Sequence, residues 1–424
     1  MSRNAKEYID YLFEKLLAHT HISPEKSASL RSQLKTKNEP GDVQSRFQEI
    51  YFLRTIDPDT KKETDITDLT PLATGGIAVR MSCGHTKSLV LIGSKIKSEE
   101  LKNIPSYIFE CNESPDPALF LRLNTEFEQY LNIKSQVSAE YIEDILDIVS
   151  DPNYEGHSVE DFSELYDPVY TLNINSDSIL TNNDTTELVI ELSRFVPSLL
   201  HYKNTEFTNL INMLSKSKYI DKSMLYESLT SFYSKHAFLD IYRCLEKLFY
   251  FSWMYLLSQN LSQNFLKDYS NLNLNLDELK NICEKNLSWQ SKEDQSIIKL
   301  FQLVLVNEDG SIDENSFKKI YNESIFSNLD NLVDQEEINS DQEEINSDQE
   351  ENINKKRKKS DRKASLLARN IYMYRNSLVH HEDKEHKEKV KKLSDKEWQV
   401  LANSVAYFLL AFIQKFDNTL EEQS

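Results

Sequence analysis

Glycine is scarce in this sequence, with seven residues in 424. That scarcity excludes glycine-rich phosphate loops and collagen-like structure, disfavours tight all-β architecture, and leaves helices as the expected default. Cysteine is equally thin. Cys83, Cys111, Cys244 and Cys283 show no CxxC spacing, so neither a disulfide scaffold nor a zinc finger is expected. There is no P-loop, no Rossmann glycine fingerprint and no HExxH pair, and neither a metal nor a cofactor is expected. Long apolar runs are missing as well. Val405–Ile413 is too short to span a bilayer. The start, MSRNAKEYIDYLFEKLLAH, is charged and amphipathic, unlike a signal peptide. These absences point to a reduced, cytoplasmic protein with no membrane partner. A formal net charge of −20 also excludes a surface that binds nucleic acid as a whole. RNA would need a local basic patch.

What is present is mainly helical, with a mixed N-terminal part. Tyr8, Leu12, Leu16 and Leu17 recur at helical spacing, and Arg46–Arg54 repeats the pattern weakly. Asp, Thr, Pro and Gly across Ile56–Gly76 read as a loop. Ile77–Ser82 and Ser88–Ile92 read as strands joined by a turn at Cys83-Gly84-His85, with further short strands at Tyr107–Cys111 and Leu119–Leu123. Asp151–Asp184 is polar and turn-rich. Residues 1–185 are therefore expected to form a mixed α/β domain, and 186–424 an all-α domain. In the latter, Phe238, Ile241, Tyr242, Leu245, Leu248 and Phe249 form an apolar stripe on a helix expected over Lys222–Ser258. Further helices are expected around 261–286, 291–306 and 313–328. DQEEINS then occurs at 334–340 and again at 341–347, followed by DQEEN. One apolar residue per seven cannot build a coiled-coil seam, so about 331–360 reads as a disordered insert. Two closing helices are expected, from about Asp361 to His380 and from a capping box at Ser394–Glu397 onward.

Chemistry concentrates at Tyr374-Arg375-Asn376-Ser377-Leu378-Val379-His380-His381. A histidine near neutral pKa can take the proton of an RNA 2′-hydroxyl or protonate a leaving oxygen. An arginine can hold the phosphate and its extra transition-state charge. At about 100° per residue, Arg375 and His380 lie about 140° apart on a regular helix, whereas Asn376 and His380 share a face. Either the helix ends irregularly at His380, or two chains combine their groups. The bland reading has Arg375 paired with a carboxylate in the bundle and His380 capping a helix C-terminus. Glu246, beside the apolar stripe, either orients Arg375 or pairs locally with Arg243 and Lys247. The run Lys355, Lys356, Arg357, Lys358, Lys359, with Arg362, Lys363 and Arg369, either guides RNA or merely offsets the acidic repeat; Lys355–Lys392 carries 14 Lys/Arg against 5 Asp/Glu. A second Arg–His match, Arg80 and His85, spans a strand and turn and is set aside. Cys83-Gly84-His85 with Cys111 lacks a fourth ligand or a base. His19 and His21 read as caps ending the first helix.

An Arg followed by Asn, apolar residues and His at this spacing, ending a helix before one last capped amphipathic helix, resembles the HEPN superfamily. The likeness is to Apea-like and antitoxin-paired members of bacterial defence systems. It covers about 220–424 and does not reach 1–185. The resemblance implies an α-helical, dimeric, metal-independent endoribonuclease leaving 2′,3′-cyclic phosphate and 5′-hydroxyl ends. Its catalytic set would be Arg375, Asn376, His380 and Glu246, with RNA as substrate and a homodimer bringing two motifs together. It also implies an antiphage or toxin role, with a regulatory protein or phage-derived trigger as partner. Some members are inactive scaffolds that bind RNA, nucleotide or protein, and that remains the alternative.

Overall fold

The computed structural model describes residues 5–35, 65–83, 86–93, 96–112, 129–157, 161–162, 164–175, 183–201, 204–252, 293–326, 349–379 and 392–416. The expected helix at 46–54, strand at 119–123, helix at 261–286, residues Gly84 and His85, the first two repeat units and His380 lie outside them. The protein is mostly helical, with a small antiparallel sheet in its N-terminal half. It divides into two compact units, Met1–His201 and Tyr202–Ser424.

The first unit opens with α1 (Ala5–Ala18) and α2 (Pro24–Gln33), the latter capped by Ser23, whose side chain accepts from Lys26 N. Five strands follow: β1 (Asp65–Pro71), β2 (Ile77–Cys83), β3 (Thr86–Ile92), β4 (Phe109–Asn112) and β5 (Tyr170–Ile174). Between them lie α3 (Ser98–Leu101) and α4 (Ala139–Asp147), and α5 (Thr185–Leu192) closes the unit. The sheet order is β1-β2-β3-β5-β4, every pair antiparallel. Alternation decides the faces. Ile77, Val79, Met81, Val90 and Ile92 point into one core with Leu12, Phe13, Leu16, Ile142 and Leu146. The β1–β2 turn needs glycine: Gly76 has φ +94°, and a Cβ there would meet Ile92 O.

Two strands and a boundary differ from expectation. Residues 65–71, read as loop, form β1, and β5 lies inside the stretch read as polar and turn-rich. The division falls at His201 rather than 185, because α5 packs on β1 and β2. Thr185 N donates to Asp68 Oδ2 at 3.0 Å, Arg80 Nη1 donates to Asn183 O, and Leu188, Val189 and Leu192 are buried.

The second unit contains α6 (Thr205–Ser215), α7 (Lys222–Thr230), α8 (Ser234–Glu246), α9 (Glu293–Leu305), α10 (Glu314–Ile320), α11 (Glu323–Phe326), α12 (Gln349–Val379) and α13 (Asp395–Phe416). The single helix expected over Lys222–Ser258 is broken at Ser231, whose hydroxyl bonds Glu227 O and Asp240 Oδ2, and again by a turn at Lys247–Leu248, after which residues 249–252 are helical and 253–258 lie outside the described residues. α13 is the centre: α6, α8, α9 and α10 pack on it, and Phe301 stacks on Phe408 with centroids 3.7 Å apart. By length and composition α13 could cross a bilayer, which the run 405–413 alone could not. Its apolar side chains, Leu401, Val405, Phe408, Leu409 and Phe412, are buried in this core. The expected capping box is present, Ser394 N donating to Glu397 Oε2 and Glu397 N to Ser394 Oγ. Lys415 Nζ donates to Val304 O and Val306 O, closing the C-terminal end of α9.

α12 corrects the reading of the insert. Residues 349–360 are helical, and α12 runs 31 residues, about 46 Å. Glu, Gln, Lys and Arg are good helix formers, and the start of this helix has a docking partner. Gly310, at φ +77°, lies against it so closely that a Cβ there would stand 3.0 Å from Ile353 O. Lys356 Nζ meets Asp309 Oδ2 at 3.2 Å.

Candidate active site

α8 and α12 place the sequence-derived residues. On α12, Ala364, Leu367, Ala368, Ile371 and Tyr374 are buried. Tyr374 Oη donates to Ile325 O at 3.3 Å, and its ring lies 6.0 Å from Trp398, itself 5.4 Å from Phe238 of α8. These contacts fix the rotation of α12 and so aim the next residue, Arg375, toward α8. On α8, Tyr242 and Glu246 are four residues apart and therefore share a face.

Arg375 is nearly enclosed, its side chain 16% exposed. Nη2 meets Glu246 Oε1 at 2.7 Å, Nη1 donates to Asn376 Oδ1 at 3.0 Å, and Nη1 stands 3.8 Å from Glu293 Oε2 of α9. The guanidinium carbon lies 5.8 Å from the Tyr242 ring centre, a cation–π arrangement. Of the five N–H donors of an arginine, these contacts commit two to hydrogen bonds. Among the described residues the rest make no hydrogen bond and can bond an anion. Burial works against the charge of Arg375, but Glu246, Tyr242 and Glu293 outweigh it and raise its pKa. Burial pushes the Glu246 carboxyl up despite the pull of Arg375, and Glu293 adds to the rise. Tyr242 is buried, its phenol raised well above the ordinary value by burial, and its hydroxyl has no hydrogen-bond partner among the described residues.

Glu246 therefore reaches across to Arg375. Its two neighbours are engaged elsewhere, Arg243 with Asp240 at 3.0 Å and Lys247 with Asp221 at 2.5 Å. Asn376 adjoins the guanidinium. Val379 is the last described residue of α12, so the geometry of His380 is outside the description. Lys355, Lys356, Arg357, Lys358, Lys359, Arg362 and Arg369 are exposed along α12, and Lys363 is half-buried. At about 100° per residue, Lys355, Lys358, Arg362, Arg369 and Asn376 fall within about 60° of one another, opposite the buried face.

No family model, no curated protein and no solved structure matches this chain.

The other sequence candidates do not converge. Cys83 and Cys111 lie on β2 and β4, which β3 and β5 separate. No group of three or more His, Cys, Asp or Glu that could hold a metal occurs among the described residues. At the end of α1 it is Thr20 whose hydroxyl bonds Leu17 O, and His21 N donates to Glu143. Tyr242 is buried in the core, as its place in the apolar stripe predicts, and also turns its ring to Arg375. The member of the cluster that sequence reasoning missed is Glu293, which lies far along the chain and carries no spacing signal.

Proposed function

We propose that this chain is a metal-independent endoribonuclease of HEPN type, with a helical second unit of HEPN-like architecture. The observation that carries the reading is Arg375. It stands five residues before His380 in the sequence, is held from an adjacent helix by Glu246, kept cationic, and left, among the described residues, with uncommitted N–H donors beside Asn376. In the reaction, the RNA 2′-oxygen attacks the adjacent phosphorus while the P–O5′ bond breaks. His380 takes the 2′ proton or supplies the proton to the 5′ oxygen, and water carries the other of the two transfers. Arg375 bonds the non-bridging oxygens as charge gathers on them. The products are a 2′,3′-cyclic phosphate and a 5′-hydroxyl. The exposed basic residues of α12 raise the local concentration of RNA around an otherwise acidic chain. A homodimer pairs the two motifs, since a regular helix separates Arg375 from His380 by about 140°. The setting is cytoplasmic antiphage defence or a toxin–antitoxin pair, with the first unit answering to a regulatory protein or phage-derived trigger; this part rests on resemblance alone. End analysis tests the chemistry: cleaved RNA should resist 3′ ligation until the cyclic phosphate is opened and removed. Free 3′-hydroxyl ends would refute it.

A second reading is favoured by the same contacts. An arginine flanked by Glu246 and Glu293 is also what a structural ion pair looks like. In that case the unit is a non-catalytic scaffold binding RNA, nucleotide or protein.

A further inference from the structure

Two carboxylates converge on one guanidinium, and they do so unequally. Glu246 lies 2.7 Å from Nη2, a direct charge-assisted hydrogen bond. Glu293 lies 3.8 Å from Nη1, within ion-pair range but beyond a hydrogen bond. Their surroundings differ as well. Glu246 ends α8 between Arg243 and Lys247, both engaged with aspartates, so Arg375 is its cation. Glu293 lies on α9 and among the described residues pairs only with Arg375, at that longer range. Its side chain is 35% exposed, which leaves it a path to water. The Tyr242 ring lies beneath the guanidinium, and its buried hydroxyl has no hydrogen-bond partner among the described residues.

We infer that Glu293 occupies, on Arg375, the position that an RNA phosphodiester takes in the working complex, so that the site as it stands is closed by an internal carboxylate. This inference rests on the ribonuclease reading of the same site. The three charged side chains sum to one negative charge around a nearly enclosed guanidinium. A phosphodiester brings a further negative charge to the same nitrogen, and like charges at this range are costly. Nη1 already bonds Asn376, so a phosphate oxygen brought to its other N–H would stand beside the Glu293 carboxylate, 3.8 Å from the same nitrogen. The tightly bonded Glu246 stays and orients Arg375; the loosely placed Glu293 swings out to solvent. The two glutamates thus have opposite roles, Glu246 positioning and Glu293 gating.

Opposite roles give opposite signs. Affinity is measured for a single-stranded 2′-O-methyl oligoribonucleotide, which cannot be cleaved, and separately for inorganic phosphate, both in EDTA. Glu293→Gln should bind both about tenfold more tightly, the half-exposed setting moderating a larger like-charge effect. Glu246→Gln should bind both more weakly. Glu293→Asp, one methylene shorter, should bind more tightly than wild type too, and serves if the glutamine variant folds poorly. The gain must vanish in a Glu293→Gln, Arg375→Met double variant. A gain that survives there reflects only the overall acidity of the chain and overturns the inference. So does a Glu293→Gln variant that binds as wild type or more weakly. Because neither probe is cleaved, tighter binding without any RNase activity would uphold the gate while sinking the enzymatic reading.

Discussion

Replacing Arg375 with lysine separates a catalytic arginine from a structural one. Lysine keeps a cation within reach of Glu246 and Glu293, so the half-buried carboxylates are not stranded. What it loses can be counted. The Nη1 bond to Asn376 Oδ1 at 3.0 Å disappears, at about 1 kcal/mol for a hydrogen bond between neighbouring side chains. The planar group 5.8 Å from the Tyr242 ring centre is replaced by a compact ammonium, at about 0.5–1 kcal/mol. The expected destabilisation is about 1.5–2 kcal/mol. For a helical unit of this size that lowers the melting temperature by about 3–8 °C. Activity should fall far more, by about a hundredfold or beyond, because a point charge cannot offer two parallel donors to a phosphate. Differential scanning calorimetry and cleavage of single-stranded RNA at 25 °C, well below both transitions, give the two numbers on one preparation. A lysine variant that cleaves within about twofold of wild type would refute the reasoning, and so would a variant too unstable to show a transition.

Three further outcomes follow from other contacts. Asp221 caps α7 through Ser223 N and Met224 N and pairs with Lys247; burial pushes its carboxyl up, but Lys247, Ser223 and Met224 hold it down at about 2. A depressed carboxyl stabilises above its unfolded pKa of about 4 and loses that contribution as pH falls through about 2. Asp221→Asn keeps a capping oxygen but loses the ion pair with Lys247, and should therefore cost about 1–2 kcal/mol at neutral pH, with the deficit in urea midpoint shrinking below about pH 4; a deficit constant down to pH 2 would contradict this. Gly310→Ala combines φ +77° with a Cβ 3.0 Å from Ile353 O, and should cost about 1–3 kcal/mol and loosen the start of α12, read as faster amide exchange at 353–358. Mixing Arg375→Ala chains with His380→Ala chains should restore part of the activity that each lacks, if the working site draws on both subunits; no recovery in verified mixed dimers would exclude a composite site.

The limits of legibility are physical. β2 and β3 were readable because Ile77, Val79, Met81, Val90 and Ile92 alternate into one core. β1 was not, because Asp65, Thr67 and Asp68 spoil the pattern, and Asp68 is spent on the first turn of α5. β5 carries Asn173, whose side chain accepts from Ser88 Oγ across the sheet; a partner 85 residues away leaves no local trace. The start of α12 has no apolar periodicity. Ile353 is 46% exposed, and the segment is docked by the Asp309–Gly310 loop, which only the tertiary structure reveals. At the candidate site, Arg375 and Asn376 were legible as a motif, and Glu246 from its place beside the apolar stripe. Glu293 was not, since it depends on how α9 packs against α12.

Metal-independent RNA cleavage by Arg375 and His380 is open to one decisive experiment. Purified wild-type protein and the His380→Ala variant are incubated with total RNA in EDTA, with melting curves recorded on both. The expectation is cleavage by the wild type, undiminished by chelation, and none by a variant that melts with the wild type. Wild-type activity that disappears in EDTA and returns with magnesium, or full activity in the His380→Ala variant, would contradict it.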